Sequence, residues 1–306
     1  MSELRLKRCL LAGSVVVWIV MTVLPLGVYA QKADKQQYRI AVCDWMMLKR
    51  QKLGEFQLAK DIGADGVEVD MGPLGQRVQF ENKLREPHFQ QLFRKTADSL
   101  GIAVPSIAMS GFFAQNFLNR ENYRDLVDDC LNTMDVMGAQ VAFLPLGGSG
   151  HEWKEAGDAR LEMVHRLHEA GEMALSRGKT IAIRTQLDAR ANLFLLKEVN
   201  SNGIKIYYNL QDAIDQGLCP SKELKKLGRE NIAQIHASLT DSVTLDKDPR
   251  IDLRKIKKAL DKMKWSGWLV VERSRNAQDV RNVRGNFGTN VAYLKEIFQS
   301  AKTRNE

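Results

Sequence analysis

The sequence predicts an α/β protein of the (β/α)8 class, one barrel domain behind an N-terminal signal segment, and three observations carry that prediction. Short apolar stretches alternate eight times with stretches of helical periodicity along the 306-residue chain. Several of those stretches are continuously apolar, the pattern of parallel strands buried on both faces. They also tend to finish in a polar or charged residue, and in a barrel the C-terminal ends of the strands are where working groups are placed. The clearest case is Trp268-Leu269-Val270-Val271-Glu272-Arg273-Ser274-Arg275, in which four apolar residues behind Gly267 run into a carboxylate flanked by arginines. A loop ion pair of Glu272 with Arg273 or Arg275 is the plain alternative for that carboxylate.

Each element follows in order. Tyr38-Arg39-Ile40-Ala41-Val42-Cys43 reads as the first strand, with Asp44 and Trp45 at its end. A helix over residues 56–62 stops at Gly63, and Gly66-Val67-Glu68-Val69-Asp70 is the second strand, again ending in carboxylates. Gly72, Pro73 and Gly75 mark a loop. Residues 86–100 are helical and 102–109 form the third strand. Residues 119–137 form an amphipathic helix, with Tyr123, Leu126, Val127, Cys130, Leu131 and Met134 at helical spacing. The fourth strand covers 140–146 and runs into Gly147-Gly148-Ser149-Gly150. The second half repeats the rhythm: helix 159–177, strand 180–183 ending at Arg184, helix 191–199, strand 204–208 ending at Asn209, and a short helix 221–227. Strand 232–235 ends at His236, helix 252–263 presents Leu253, Ile256, Leu260 and Met263 on one face, and helix 290–300 follows the eighth strand. Residues 31–306 suit a TIM barrel of about 250 residues. An open doubly wound sheet fits less well, because the first strand–helix turn has no glycine-rich phosphate loop.

The N-terminus has a different character. Arg5, Lys7 and Arg8 precede an apolar stretch from Cys9 to Leu26, and Val28-Tyr29-Ala30 offers a small-residue cleavage site after Pro25 and Gly27. This is the layout of a secretory signal, residues 1–30, with an uncleaved membrane anchor as the competing reading. A polar linker, 31–37, leads into the barrel at 38–300, and 301–306 is a tail. The expected location is exported, periplasmic or secreted. The chain carries a net charge of +8, and loss of residues 1–30 removes three basic residues and one acidic one, leaving +6. The remaining basic residues, such as Lys222, Lys225, Lys226, Arg254, Lys257 and Lys258, are spread over helical stretches without interleaved aromatics, so nucleic acid is not an expected partner. Cys43, Cys130 and Cys219 form no C-x-x-C pair, and neither a disulfide framework nor a cysteine zinc site is expected.

Gly66-Val67-Glu68-Val69-Asp70, Leu100-Gly101-Ile102, Ile235-His236 and Gly267-Trp268-Leu269-Val270-Val271-Glu272 together resemble the xylose isomerase-like TIM-barrel superfamily, and within it the sugar phosphate isomerase/epimerase proteins. The resemblance runs from about Tyr38 to Phe298. It implies a carbohydrate enzyme that abstracts a proton next to a carbonyl, assisted in metal-dependent members by a divalent ion such as Mn, Zn or Mg. Those members hold the ion with Glu, Asp, His and Glu, one at the end of each of strands five to eight. The matching residues here are Arg184, Asn209, His236 and Glu272. Asn209 keeps an amide oxygen, so a metal set of His236, Glu272 and Asn209 is the expectation. Arg184 has no lone pair to give and stays protonated.

The resemblance also pairs a Glu on strand five with one on strand eight as two bases, and only Glu272 remains. Glu272 and Arg184 are therefore the expected catalytic pair, Glu272 as base and Arg184 stabilising an enolate or holding an anionic group. Trp45, Glu68, His151, Asp212 and Arg275 are candidate substrate contacts, with Trp45, Lys49, Glu68 and His151 on the C-terminal loops. Asp212 lies three residues past Asn209, where some relatives carry a substrate-contacting His. Structural roles are the plain alternatives for several of them: packing for Trp45, an exposed loop for His151. His165 and His168 read as outer-face helix residues. The functions in view are an exported sugar isomerase or epimerase, a lyase or hydratase on an oxidised sugar or glycoside, and a non-catalytic carbohydrate-binding barrel with a degraded metal site. An endonuclease IV-type DNA-repair enzyme would need more His and carboxylate ligands than the chain has.

Overall fold

Tyr38-Arg39-Ile40-Ala41-Val42-Cys43 has one charged side chain, and as strand β1 (Tyr38–Cys43) it buries every residue except Arg39. The same logic builds β2 (Gly66–Asp70), β3 (Ser106–Ala108), β4 (Val141–Pro145), β5 (Thr180–Arg184), β6 (Ile204–Asn209), β7 (Ile232–His236) and β8 (Gly267–Val271). The computed structural model describes residues 37–300, in which the eight strands are all parallel and close in sequence order into a barrel. Closure is made by β1 against β8, in register from Tyr38 opposite Gly267 to Val42 opposite Val271. No sheet edge is left to be covered.

The helices α1 (Gly54–Asp61), α2 (Pro87–Leu100), α3 (Tyr123–Met137), α4 (Asp158–Ser176) and α5 (Ala189–Val199) follow strands β1 to β5. Two helices, α6 (Leu210–Asp215) and α7 (Pro220–Leu227), follow β6, and α8 (Leu253–Met263) and α9 (Val283–Gln299) complete the ring. Their apolar faces pack on the outside of the strands to form the main core, which includes Phe56, Phe93, Leu126, Leu167, Leu195, Leu260 and Phe287. At the α4–β6 contact, a Cβ on Gly203 would lie 2.0 Å from the Gly171 carbonyl oxygen, so only glycine allows that approach.

Inside the barrel lies a second, smaller cluster of Ala41, Cys43, Ala108, Phe143, Ala182, Tyr207 and Val270, capped by Trp45. Three alanines make room there for two rings and for buried polar groups. The ring centroids of Phe143 and Tyr207 are 4.6 Å apart, and those of Tyr207 and His236 are 4.3 Å apart.

Some boundaries differ from the sequence expectation. The third strand, expected over 102–109, is only Ser106–Ala108, because Pro105 has no N–H to give the ladder. Helix α3 starts at Tyr123 rather than 119. Helix α9 starts at Val283 rather than 290, behind the Asn282 side chain, which accepts from the Gly285 N–H at 2.9 Å. Helix α6 was not expected. The signal segment 1–30, nearly all of the linker and the tail lie outside the described residues. Among the described residues no helix is long and apolar enough to cross a membrane.

Three carboxylates meet in fully buried positions: Asp44 after β1, Glu55 in α1 and Asp70 at the end of β2. Asp70 is well supplied, pairing with Arg50 Nε at 2.9 Å and accepting from the N–H groups of Gly72 and Ser110 at 3.0 and 3.1 Å. Asp44 Oδ2 accepts from the Gln51 N–H at 2.9 Å, but Asp44 Oδ1 and Glu55 Oε1 have no hydrogen-bond partner. Burial, and then the charge of Asp70, push the Asp44 carboxyl up to about 8. Burial also raises Asp70 to about 6, against the pull of Arg50, and lifts Glu55 well above the carboxylate range.

The sign of the pH dependence follows. These folded-state values lie above those of an unfolded chain, so the stabilisation is fully present below the unfolded carboxylate range and is lost progressively as pH rises from there through about 6 for Asp70 and about 8 for Asp44. The melting temperature is therefore expected to fall by several degrees between pH 6 and pH 9, at about 2–4 °C per kcal/mol for a chain of this size. Asp44→Asn, which keeps an acceptor for the Gln51 N–H, should remove part of that fall, with Glu55 still supplying the rest. Calorimetric scans of both proteins across this range check it, and equal slopes would sink the idea.

Candidate active site

Four strand ends bring the site together. Arg184 closes β5, Asn209 closes β6, His236 closes β7 and Glu272 follows β8 directly. Asn209 is in register with His236, and Arg184 with Pro145 of β4. The backbone under Glu272 is fixed: the N–H groups of Glu272 and Arg273 both donate to Ser238 Oγ, at 3.2 and 3.1 Å. Two residues on, Ser274 holds a φ of +66° while its Oγ accepts from the Leu239 N–H at 2.7 Å. Gln186, two residues past Arg184, also has positive φ, at +59°. Left-handed conformations in residues other than glycine cost energy and persist where the surroundings enforce them, commonly at functional sites.

The Arg184 guanidinium is forked onto Asp212, with Nε 2.9 Å from Oδ2 and Nη2 2.7 Å from Oδ1. Its remaining nitrogen, Nη1, lies 3.6 Å from Glu272 Oε2, a charge contact too long for a hydrogen bond. The guanidinium also sits over the Phe113 ring, 5.5 Å from the centroid. Burial opposes the Arg184 charge, but the Asp212 hydrogen bonds and the Glu272 charge outweigh it and raise its pKa further. Asp212 is placed by Asn209, whose side-chain oxygen accepts from the N–H groups of Gln211 and Asp212 at 2.8 and 3.3 Å and so caps α6.

His236 lies one layer deeper, with no exposed surface. Its Nε2 is 3.1 Å from Glu68 Oε1, and its Nδ1 is 3.7 Å from Glu272 Oε2 with no hydrogen-bond partner. Glu68 Oε2 accepts from Ser106 Oγ at 2.6 Å and from the Tyr207 hydroxyl at 2.8 Å. Burial and the Glu68 charge push the Tyr207 phenol up, keeping it a donor. A buried carboxylate with three such neighbours is satisfied in place.

Above this layer opens a cavity of about 540 Å³, within the usual range for small-molecule sites. Trp45, Arg184, Asn209, Asp212 and Glu272 line it. Trp45 is stacked on Phe143, at 6.3 Å between centroids and 6° between planes. Glu68, expected on a loop, belongs to strand β2 and is buried in the barrel interior, beneath the cavity and bound to His236, so its candidate substrate contact is corrected to a supporting role. His151 is exposed and is not among the lining residues, because the turn after Gly150 carries it outward. Arg275 also lies off the cavity, drawn onto Asp241 with Nη2 2.5 Å from Oδ2. On the outer face, His168 Nδ1 is 2.9 Å from the Val199 carbonyl oxygen.

Sequence reasoning missed Phe113, Gln186, Gln211, Asp215 and Ser238, which also line the cavity. Gln211 and Asp215 belong to helix α6, whose one visible signal was Asn209 standing before Asp212 at cap spacing.

The metal set expected from the resemblance does not fit. Among the described residues no group of three or more His, Cys, Asp or Glu side chains is arranged to hold an ion. His236 Nδ1 and the Glu272 carboxylate are the two expected ligands left uncommitted, since the Asn209 oxygen accepts from two backbone N–H groups and both Asp212 oxygens from Arg184. Arg184 Nη1 adds a positive charge beside the same Glu272 oxygen. The expectation of His236, Glu272 and Asn209 as ligands is corrected on those grounds.

The family model described as xylose isomerase-like TIM barrel matches residues 56–297, and the chain belongs to that family. Its fold is similar to a D-psicose 3-epimerase solved in the presence of D-fructose, at 12% identity and TM-score 0.67 over 86% of this chain and 100% of that one. An L-ribulose 3-epimerase gives 14% identity and TM-score 0.66 over 88% of this chain and 100% of that one. A xylose isomerase domain protein from Planctomyces limnophilus gives 15% identity and TM-score 0.62 over 87% of this chain and 98% of that one. At these identities the likeness is one of fold. No curated protein matches the chain.

The role of Asn209 is open to test. Asn209→Ala should cost about 1 kcal/mol in urea unfolding through loss of the α6 cap, whereas Asn209→Asp should cost little because aspartate caps equally well. Equal losses for the two variants would contradict the capping role.

Proposed function

We propose that this member of the xylose isomerase-like family is an exported enzyme that moves a proton next to the carbonyl of an uncharged carbohydrate, with Glu272 as its single base. The observation that carries the proposal is the Glu272 carboxylate on the cavity wall with Arg184 Nη1 3.6 Å from its Oε2. A carbonyl oxygen that accepts from Nη1 brings its neighbouring carbon to the carboxylate. Glu272 then takes that carbon's proton, the C–H electron pair becomes the C=C bond of an enediolate, and the negative oxygen is held by the guanidinium. Return of the proton from Glu272 to the adjacent carbon on the same face, with the hydroxyl proton passing between the two oxygens, interconverts ketose and aldose. An epimerase that reverses one carbon needs a base on each face. Asp212, the other carboxylate at hand, is held by Arg184 with both oxygens.

The uncharged substrate follows from the charges already present. The Arg184 fork is filled by Asp212, and Arg273 and Arg275 are both drawn onto Asp241. Glu272 and Asp215 add negative charge to the lining, and both arginines of the lining, Arg184 and Arg273, already face a carboxylate. This revises the expectation that Arg184 holds an anionic group. Acidic and amide groups suit hydroxyls, and Trp45 offers an apolar wall for a sugar ring. Export rests on the N-terminal reading alone, with Arg5, Lys7 and Arg8 ahead of the apolar stretch.

A lyase is the second reading, favoured by the same lone base: removal of the proton followed by loss of a β-substituent also needs one carboxylate. Proton NMR of a panel of uncharged ketoses, aldoses and keto-glycosides in D2O separates the readings. Isomerisation exchanges the substrate proton and conserves the skeleton, whereas elimination gives an enone. Glu272→Gln should slow either reaction about 10²–10⁴-fold. Binding without exchange across the panel would leave a carbohydrate-binding barrel, and unimpaired turnover by Glu272→Gln would rule out this base.

A further inference from the structure

We infer that Arg184 is the site's own cation and that the heads of strands β5 to β8 hold no divalent metal. This rests on the functional reading above for what Arg184 does to the substrate, while the exclusion of an ion rests on the donors alone. His236 Nδ1 and Glu272 Oε2 are 3.7 Å apart, close enough for one ion with bonds of about 2.0–2.2 Å to touch both. An ion placed there meets the guanidinium, whose Nη1 stands 3.6 Å from the same Oε2. Arginine cannot shed its proton to make way. It cannot readily swing aside either, because Asp212 holds it with two hydrogen bonds, and Asp212 is positioned by the Asn209 cap.

Third and fourth ligands are missing for a related reason. The oxygens of Asp212 and Asn209 are engaged in positioning the guanidinium, those of Asp212 directly and that of Asn209 through the start of α6. What an ion would offer a carbonyl oxygen, Nη1 offers as a fixed charge with N–H donors facing the cavity, next to the base. Three residues, Asn209, Asp212 and Arg184, thus form one cation assembly in which the distal groups are positioning residues.

Titrating the purified full-length protein with Mn²⁺ by calorimetry, alongside metal analysis of the protein as isolated, tests this. Stoichiometric metal should be absent, and Mn²⁺ should give no saturable heat and no rise in melting temperature. Arg184→Glu removes the guanidinium and adds a carboxylate beside His236 and Glu272, and should tighten Mn²⁺ binding by about 10–100-fold or more. Arg184→Gln, which removes the charge alone, serves if that variant does not fold, and should show a smaller gain. One equivalent of metal in the wild-type protein, lost in His236→Ala, would overturn the inference. So would folded Arg184→Glu and Arg184→Gln proteins that ignore Mn²⁺ as the wild type does. A protein that binds no metal and turns over no carbohydrate leaves this inference standing and removes the functional one.

Discussion

The guanidinium of Arg184, held between Asp212 and Glu272, is the contact on which the head of the barrel depends. It is mostly buried, so it needs anionic partners, and each partner is set by a different strand. Asp212 comes from the helix capped at the end of β6, and Glu272 from the end of β8. The pairing fixes more than geometry. It sets one cation between two carboxylates, and it leaves one nitrogen beside the Glu272 oxygen that His236 Nδ1 also approaches. Arg184 is thus the one charge in contact with both carboxylates.

Beneath that layer the barrel interior is unusually polar for a packed core. Glu68 spends its oxygens on Ser106, Tyr207 and His236, and Phe143 and Tyr207 close around the imidazole. The three interior alanines are what make this possible, since larger side chains on β1, β3 and β5 would fill the space. The result is a rigid floor whose uppermost atom, His236 Nδ1, faces Glu272. Side chains locked by hydrogen bonds and packing hold a base more accurately than a loop would. The left-handed conformations at Gln186 and Ser274, just beyond Arg184 and Glu272, fit a site whose backbone is tightly constrained.

Much of the fold was legible because the apolar stretches repeat with the strand–helix rhythm and because strand ends carry polar residues. The boundaries that moved have local causes. Pro105 shortens β3, Asn209 starts a helix too short for periodicity to reveal, and Asn282 starts α9 early. Of the strand-end residues, Arg184, Asn209 and Glu272 line one cavity and His236 lies beneath it, against Glu272. Their roles were harder to read. Whether Asn209 gives its oxygen to an ion or to two backbone N–H groups depends on α6. Whether Arg184 is free to meet an anion depends on Asp212, 28 residues away in sequence. Glu68 looked like a loop-end carboxylate beside Asp70, but it lies inside the barrel and Asp70 faces Arg50, a distinction set by barrel tilt and register. The buried set of Asp44, Glu55 and Asp70 was invisible, since three acids from separate segments announce nothing until the chain is folded.

The proposed reaction needs a substrate oxygen between Arg184 Nη1 and Glu272 Oε2, with protein groups and no ion around it. A crystal structure of the protein soaked with xylitol and Mn²⁺ tests this most directly, with anomalous scattering to locate manganese. The account predicts a hydroxyl oxygen of the polyol within hydrogen-bonding distance of Arg184 Nη1, its carbon facing Glu272, and no anomalous peak at the head of β7 and β8. A manganese peak bridging His236 and Glu272, with Arg184 turned away from the cavity, would contradict it.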